Sequence, residues 1–479
     1  MRSVWRGTDA VVVGAGPNGL AAAITLAQAG VEVQLLEAAE TAGGGLRSAE
    51  LTLPGFVHDV CAAIHPLGVA SPVFRALPLA AHGLEWIHPP VPMAHPFEDG
   101  SALRLERSVA ATAAQLGEDG AAYSELLDPC VRDWDRLAED VLGPPAWPRH
   151  PVAAARFGRR AIRSATGLGA ARFRGERARA LLAGLAAHSG QPLEAPLTAG
   201  LGLVLATLAH LAGWPLVRGG SQGLADALAG CFTALGGAIR TGSRIARLAD
   251  LPSARAALLD VTPRQLLRIA GPRLPAWYRR RLAGFRYGPG VFKVDWALAG
   301  PIPWRAAECA LAATVHVGGT AAEIAAAERA PWRGGHAARP FVLVTQPSLF
   351  DASRAPAGAH TAWGYCHVPL GSPCDMTERI EAQVERFAPG FRQVIRARSV
   401  RGPAALEAHN ANYIGGDIGG GAGDWRQLIT RPIVGIAPYA VPAAGLYLCS
   451  SSTPPGGGVH GLCGWHAARA ALHRERFFN

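Results

Sequence analysis

The sequence predicts an α/β protein built around a parallel β-sheet, and two segments at opposite ends of the chain indicate this fold. Near the start, an apolar run at residues 10–13 precedes a helical Ala/Leu segment that extends to Ala29, and a second apolar run follows at residues 31–36. Short Val-rich runs of this kind are typical of buried parallel strands. Near the end, residues 446–449 predict another strand, which a Pro/Gly turn separates from a helix beginning at about Leu462.

Three glycines, Gly14, Gly16 and Gly19, lie between the first strand and its helix. The first permits a tight turn, the second lets a pyrophosphate approach the backbone, and the third lets the helix pack against the strand. The helix N-terminus presents free N–H groups to phosphates, and Glu37 is placed to accept hydrogen bonds from ribose hydroxyls. This order of elements predicts a dinucleotide site. Because Ala38 offers no cation for a 2′-phosphate, NADP is disfavoured.

A second glycine cluster, Gly43 to Gly45, follows six to eight residues after Glu37. A glycine pair so soon after the acid resembles the FAD-binding domain that amine oxidases and phytoene desaturases share. The resemblance implies that the cofactor is FAD and that this backbone lies near its pyrophosphate and ribityl chain. Many relatives carry arginine directly after the pair; here Gly45 stands there and Arg47 follows two positions later. Which residue supplies the positive charge is therefore open.

The C-terminal sequence GLYLCSSSTPPGGGVHGLCGWHAARAAL carries the second motif. Its strand, Pro-Gly-Gly-Gly turn and helix resemble the end of phytoene desaturase-like proteins, where these elements meet the flavin. A helix N-terminus aimed at the flavin would stabilise negative charge on the reduced ring. Gly457, Gly458 and Gly461 would leave room for it, and His460 stands where desaturases often have proline.

The resemblance extends along the whole chain, and the nearest subgroup resembles phytoene dehydrogenase-like proteins of the pyridine nucleotide-disulfide oxidoreductase domain 2 type. It implies an α/β fold with a Rossmann-like FAD-binding domain of the glutathione reductase-2 type, interwoven with an α+β substrate domain and a helical subdomain. The residues that it implies for FAD binding are Gly14, Gly16, Pro17, Asn18, Gly19, Glu37, Ala38, Gly43, Gly44, Gly45, Arg47, Gly457, Gly458, Val459 and Gly461.

The chain order divides this fold into five expected segments. The run AALLDVT at residues 256–262, which Pro263 ends, predicts a core strand; in the family such a strand lies beside the first glycine loop. We expect three FAD-binding segments, at residues 1–70, 216–272 and 435–479. Between them we expect a substrate and helical subdomain at residues 71–215 and the substrate domain at residues 273–434.

Composition is that of a large folded enzyme. Of 479 residues, 49% are hydrophobic and 17% charged, which predicts an extensive core rather than disorder. The net charge is +10, from 46 basic and 36 acidic residues. All but one of the basic residues are arginine, a bias typical of GC-rich coding, and no basic stripe interleaved with aromatics indicates a nucleic-acid partner. Eight cysteines show no CxxC and no metal spacing, so we expect buried thiols in the cytoplasm and no metal site.

One segment is long and apolar enough to raise the question of a membrane. Residues 197–214 are uncharged, at the lower limit for a span, but Pro196 and Pro215 bracket them and a buried helix is favoured. The preceding residues 153–182 carry eight arginines. A solvated helical face is the favoured interpretation, and peripheral contact with the inner membrane face is left open.

Lys293 is the only lysine in the chain, within the sequence YGPGVFKVDWAL. A buried lysine changes its pKa readily, which a guanidinium does not. The pattern resembles the amine oxidase strand that carries a lysine near flavin N5, where it holds a water and assists the reaction of reduced flavin with oxygen. We therefore predict that Lys293 is catalytic; the alternative is a lysine that snorkels from an edge strand. Candidates for polar and apolar pocket groups are His316, His360, His367, His409, Trp363, Tyr365 and Tyr413.

Oxidation by a flavin needs few acidic or basic groups from the protein, because a hydride can leave a C–H bond directly. The sequence shows no carboxylate pair, no catalytic triad and no second GxGxxG suitable for a nicotinamide cofactor. The leading hypothesis is an FAD-dependent dehydrogenase, desaturase or oxidase that takes a hydride from a C–C or C–N bond of a largely apolar small molecule. Electrons would pass to oxygen or a quinone. The alternatives are a non-redox isomerase related to carotenoid isomerases and a binding protein with the fold of GDP-dissociation inhibitors, against which the C-terminal turn argues.

Overall fold

The structure is a computed structural model that describes residues 8–433, 437–475 and 477. Residues 1–7 and 434–436, at which some of the expected segments begin or end, lie outside the described residues. The strands in the described residues are β1 (Ala10–Val13), β2 (Val33–Leu36), β3 (Ser48–Glu50), β4 (Val57–Asp59), β5 (Trp86–Ile87), β6 (Val91–Pro96), β7 (Ala102–Leu105), β8 (Leu216–Val217), β9 (Ala238–Arg240), β10 (Ala256–Leu259), β11 (Gly290–Leu298), β12 (Ala312–Val317), β13 (Val342–Thr345), β14 (His360–Val368), β15 (Ile395–Arg401) and β16 (Leu446–Leu448).

The α-helices are distributed over the whole described chain, with short 3₁₀ turns between some of them. They are α1 (Pro17–Gln28), α2 (Pro66–Val69), α3 (Pro72–Arg75), α4 (Val109–Ala113), α5 (Gly120–Arg132), α6 (Trp134–Val141), α7 (Pro151–Ala161), α8 (Ala165–Arg172), α9 (Glu176–Ala187), α10 (Thr198–Leu211), α11 (Gln222–Ala234), α12 (Pro263–Ala270), α13 (Ala276–Ala283), α14 (Ala321–Arg329), α15 (Thr377–Phe387), α16 (Phe391–Val394), α17 (Pro403–His409), α18 (Trp425–Thr430) and α19 (Leu462–Glu475).

A parallel sheet of five strands joins distant regions of the chain in the order β16-β10-β1-β2-β9. Every residue of β1 and β2 is buried, as expected for strands covered on both faces. β1, α1 and β2 form as the sequence predicts, and β10 lies directly beside β1. The predicted α/β fold with a Rossmann-like parallel sheet is therefore confirmed.

Packing between the first and last helices brings the chain ends together. A Cβ atom at Gly464 in α19 would overlap the carbonyl oxygen of Asn18 in α1, so a glycine is needed for this approach. The ends of β10 and β16 are also hydrogen-bonded: the amide of Cys449, directly after β16, donates to the carbonyl of Leu259 in β10 at 3.0 Å. Both helices consequently begin at the same edge of the sheet.

The second sheet has seven strands in the order β15-β11-β14-β13-β12-β6-β7. One face of β11, with Val294 and Trp296, packs into an apolar core together with Phe387 of α15. Because side chains alternate along a strand, Lys293 and Asp295 lie on the opposite face. Strands β6 and β7 come from residues 71–215, the segment expected to be a substrate and helical subdomain; prolines near both ends of the β6 sequence VPMAHP weaken its strand signal.

Helices α5 to α10 form the helical subdomain, and α10 within the apolar segment 197–214 is largely buried. Among the described residues, no helix combines the length and apolar character that a membrane span requires. Several arginines of the basic segment bond within the protein: Arg156 donates to Asp133 at 2.8 Å and Arg160 to the carbonyl of Leu126 at 3.0 Å. Peripheral membrane contact and the cytoplasmic location stay predictions.

Candidate functional site

A cavity of about 1010 Å³ is lined by both chain ends and by the second sheet. Its volume is at the upper end of the range for small-molecule sites. Of the residues predicted to bind FAD, those that line it are Gly14, Gly16, Pro17, Asn18, Glu37, Ala38, Gly44, Gly45, Arg47, Gly457, Gly458 and Val459.

Gly19, Gly43 and Gly461 lie behind the lining and hold it in place. A Cβ atom at Gly19 would overlap the carbonyl oxygen of Gly14, and one at Gly461 would lie 2.7 Å from the Phe74 ring. The amide of Gly43 donates to the carbonyl of Ala15 at 2.8 Å. These three glycines therefore permit the close packing of the loops rather than forming the cavity surface.

The first glycine loop leaves the N-terminus of α1 open toward the cavity. Gly14 adopts a left-handed backbone with φ of 99°, a conformation that favours glycine. The N-cap residue is Gly16, which offers no side chain to the helix N–H groups, and Pro17 follows at the first helical position. Backbone N–H groups and the helix dipole at such an end suit an anion such as a phosphate.

Glu37 is buried beside this loop and is held by three donors. Its Oε2 accepts the amide of Ala15 at 2.7 Å, and its Oε1 accepts the amide of Ala39 at 2.9 Å. Arg47 donates to the same Oε1 at 3.2 Å and to the carbonyl of Thr41 at 3.0 Å. The charge of Arg47 is therefore paired with Glu37, and the guanidinium orients the carboxylate.

Asp260 is a site residue that sequence reasoning missed, although an acid directly after a core strand was a usable signal. Its Oδ2 accepts the amide of Gly19 at 3.1 Å, and a Cβ atom at Gly16 would lie 3.0 Å from that oxygen. Burial raises the pKa of Asp260 to about 7, and the charge of Glu37 adds to the effect. The carboxyl group thus titrates next to the open helix end.

This pKa predicts a pH dependence for the flavin-free protein. Asp260 stays protonated in the folded state up to a pH of about 7, whereas in the unfolded chain it ionises near its ordinary value of 3.8. Its contribution to the free energy of unfolding is therefore full below pH 3.8 and is lost as the pH rises through about 7. Thermal unfolding of the wild type should show this loss, and Asp260→Asn should remove it. Equal pH slopes for the two proteins would contradict the assignment.

The C-terminal glycine turn closes the other side of the cavity. Ser451 accepts a hydrogen bond from Asn18 Nδ2 at 3.3 Å, which links the two chain ends directly. A Cβ atom at Gly457 would lie 2.9 Å from the carbonyl oxygen of Gly419. His460 is buried, and burial lowers its pKa to about 4, so that its Nδ1 accepts the amide of Leu462 at 3.1 Å. Only glycines fit the closest approaches of this cradle.

Beyond the glycine loops the cavity is mainly apolar. Trp363 and Tyr365 line it as stacked rings with centroids 5.8 Å apart, and the predicted channel residue Tyr413 lines it as well. Helices α7 and α10 and the segment before α10 contribute aliphatic and aromatic side chains. These are Phe157, Ala161, Leu197, Leu201, Val204 and Leu205.

His367 places a basic group in this apolar compartment. Its Nδ1 lies 2.7 Å from Oε2 of the buried Glu328 in α14. Nε2 is on the other side of the ring, and a Cβ atom at Gly190 in the cavity wall would lie 3.5 Å from it. Burial alone would lower the pKa of His367, but the charge and hydrogen bond of Glu328 outweigh burial and raise it above 6.5. Every other histidine with a resolved shift has a lowered pKa.

The other histidine candidates occupy different surroundings. His409 lines the cavity, and burial lowers its pKa to about 4. His316 does not line it; its Nε2 lies 3.0 Å from Nε2 of His188, which does. His360 pairs with the hydroxyl of Ser348 at 3.0 Å. Within the described residues, no group of three or more His, Cys, Asp or Glu side chains could hold a metal ion.

Lys293 is buried and forms an ion pair with Asp295 on the same face of β11. Its Nζ lies 5.0 Å from the centroid of the Trp363 ring; Trp363 lines the cavity, whereas Lys293 does not. His58 Nδ1 approaches Asp295 Oδ1 at 3.6 Å. Burial lowers the pKa of Lys293 and raises that of Asp295. The catalytic role of Lys293 stays a prediction.

Known proteins share both the motif and the architecture. The family model of the NAD(P)-binding Rossmann-like domain matches residues 12–77. Pyridine nucleotide-disulfide oxidoreductase domain-containing protein 2 of Rattus norvegicus is 27% identical over 96% of this chain and 92% of its own length. Hydroxyneurosporene desaturase of Cereibacter sphaeroides is 35% identical over 50% of each chain. A triple mutant of putrescine oxidase has the same fold, with a TM-score of 0.62, 19% identity and coverage of 98% and 99%.

The parallel sheet and the cavity shared by both chain ends match a Rossmann-like dinucleotide-binding fold. These relatives and the shared fold support the superfamily of FAD-dependent amine oxidases and desaturases. The resemblance that the glycine motifs at the two ends indicate is thereby confirmed.

Proposed function

We propose that the protein binds FAD and takes a hydride from a C–C or C–N bond of a largely apolar small molecule. The observation that carries this proposal is the cavity, which joins a glycine cradle from both chain ends to an apolar compartment. When bound, the flavin would supply the hydride acceptor. The chain itself binds and orients both molecules and accepts the proton that the reaction releases.

The placement of three glycine segments around one cavity supports FAD as the cofactor. The second glycine cluster and the C-terminal turn face the same cavity as the first loop. A cofactor that uses all three must extend from Glu37, past the N-terminus of α1, to the turn before α19. The names of the relatives support a substrate with an oxidisable C–C or C–N bond, since they include a desaturase and a putrescine oxidase. We propose oxygen or a quinone as the electron acceptor.

His367 is the group that we assign to proton transfer in this reaction. Oxidation of a C–C or C–N bond removes a hydride and a proton, and FAD held in the cradle would supply the acceptor for the hydride. The proton needs a base inside the cavity, and Nε2 of His367 faces it while Glu328 stabilises the imidazolium that forms. A base that a third group orients is a recurring arrangement in general-base catalysis. Glu328 acts as a positioning residue.

Replacing His367 by glutamine should slow flavin reduction by roughly 100-fold. Because only neutral His367 accepts a proton, the wild-type rate should rise with pH through the pKa of this residue, and the variant should lose that rise. Glu328→Gln should shift the rise to lower pH, since the carboxylate is what raises the pKa. The measurement is the rate of anaerobic flavin bleaching against pH. His360→Gln, on the same strand, is the control, and equal rates in His367→Gln and the control would refute the role.

The function itself is tested by incubating the purified, FAD-loaded protein with candidate polyenes and amines without oxygen. Bleaching of the visible flavin absorbance together with a product two hydrogens lighter is the expected result. A product of unchanged mass would instead indicate the isomerase. Colourless protein that takes up no FAD would favour a binding protein with the fold of GDP-dissociation inhibitors.

A further inference from the structure

Arg431 is a buried cation that lines the cavity and has no carboxylate partner among the described residues. Its side chain is 3% exposed. Nη1 donates to the carbonyl of Ser451 at 2.8 Å, and Nη2 donates to the carbonyls of Gly421 at 2.7 Å and Ala422 at 3.1 Å. Nε is buried without a hydrogen-bond partner. In the region of the chain that the structure describes, no acidic side chain comes within ion-pair distance of this guanidinium.

The other buried arginines are arranged differently. Arg354 forms an ion pair with Asp59 at 2.6 Å, and Arg47 forms one with Glu37 at 3.2 Å. A guanidinium stays protonated in proteins, and a buried charge without a counter-charge is costly. Burial lowers the pKa of Arg431, which expresses this cost. An anion bound in the cavity would offset the cost of burying this unpaired charge.

Asp417 is the acid whose charge acts most strongly on Arg431. Its oxygens accept the amides of Gly288 at 2.8 Å, Gly419 at 2.7 Å and Gly421 at 2.9 Å. Burial raises the pKa of Asp417. Because the oxygens of Asp417 accept these three backbone amides, Asp417 is not a direct partner of the Arg431 guanidinium.

Arg431 lies where the two chain ends meet. A Cβ atom at Gly456 in the C-terminal turn would lie 3.1 Å from its Nη1. Ser451, whose carbonyl it holds, is bonded through its hydroxyl to Asn18 at the start of α1. The guanidinium is therefore near both the open helix end and the C-terminal turn, the two places where FAD would carry negative charge.

We propose that Arg431 binds an anionic oxygen of FAD and supplies the positive charge that Arg47, paired with Glu37, does not. This proposal rests on the proposed cofactor. The oxygen belongs either to the pyrophosphate or to the pyrimidine edge of the flavin, which becomes negative on reduction. In the first case the guanidinium strengthens retention of FAD; in the second it stabilises the reduced ring.

Two dissociation constants distinguish a contact to the pyrophosphate from a contact to the pyrimidine edge. Both are measured in the FAD-loaded wild type and in the variants Arg431→Gln and Arg431→Lys. The first is that of FAD, and the second is that of sulfite, which adds to flavin when negative charge at the pyrimidine edge is stabilised. Loss of a pyrophosphate contact should raise the FAD constant of Arg431→Gln about tenfold and leave that of sulfite unchanged. Loss of a contact to the ring should raise the sulfite constant about tenfold with FAD retained.

Arg163→Gln is the matched control, because Arg163 also donates to a backbone carbonyl, that of Gly167 at 2.9 Å, but does not line the cavity. Both constants within twofold of wild type in a folded Arg431→Gln protein would overturn the proposal. If Arg431→Gln does not fold, Arg431→Lys is measured instead, because lysine keeps the positive charge. Dissociation constants of FAD and sulfite that are tenfold higher in Arg431→Lys than in the wild type would equally overturn a role for the charge. Wild-type protein that binds no FAD would refute the proposed function, rather than the role of Arg431 alone.

Discussion

Gly19→Ala is expected to abolish FAD retention, raising the dissociation constant more than about 100-fold. A methyl group there would overlap the carbonyl oxygen of Gly14, so α1 would have to move away from β1. That movement would displace the amides at the start of α1 that face the cavity, and it would break the bond from the Gly19 amide to Asp260. Overpacking at a backbone contact also destabilises the fold, by about 1–3 kcal/mol.

Gly158→Ala provides the control for Gly19→Ala because it also adds a methyl group to a helical glycine. Nothing lies within 4 Å of a Cβ atom at Gly158 in α7. This variant should retain FAD and gain up to about 1 kcal/mol from the better helix propensity of alanine. Equilibrium dialysis with FAD and thermal unfolding measure both effects. If Gly19→Ala kept the affinity of wild type, the first glycine loop would not bind the cofactor.

Lys293→Met is expected to destabilise the protein by about 3–5 kcal/mol, because it leaves Asp295 as a buried charge without its partner. Lys293 is 2% exposed and Asp295 is fully buried. The neighbouring His58 cannot replace the ammonium, since burial lowers its pKa to about 3. The midpoint of urea unfolding reports the loss. An unchanged midpoint would show that the ion pair is not important for folding.

The double variant Lys293→Met, Asp295→Asn separates stability from catalysis. Neutralising the aspartate should restore most of the lost stability, because no buried charge is then left unpaired. If Lys293 also assists the reaction of reduced flavin with oxygen, this stable double variant should still reoxidise at least about tenfold more slowly than wild type. Equal reoxidation rates would leave Lys293 a structural residue only.

The elements of the fold that follow from local sequence were predictable. Strand β1, helix α1 and strand β2 need only a short apolar run, glycines and a helical segment, all within the first 40 residues. The ion pair of Lys293 was also within reach, because residues two apart share one face of a strand. Its partner Asp295 is two positions away in the same sequence.

The pairing of His367 and the missing carboxylate partner of Arg431 were not predictable, because they depend on distant elements of the chain. Glu328 in α14 and His367 in β14 meet only through tertiary packing, and no periodicity links them. Arg431 is distinguished by the absence of a carboxylate partner among the described residues. A sequence does not show that a guanidinium is buried beside carbonyl oxygens. Strand β6 was missed because its prolines at residues 92 and 96 weaken the local signal.

The flavin content of the purified protein tests most directly whether the two chain ends bind one FAD. The protein would be purified in the presence of added FAD, freed of unbound flavin and denatured, and the released dinucleotide would be counted. We expect about one FAD per chain, because one cavity joins the glycine cradle at both ends. Protein that releases no flavin after this treatment would contradict the cofactor site and the chemistry derived from it.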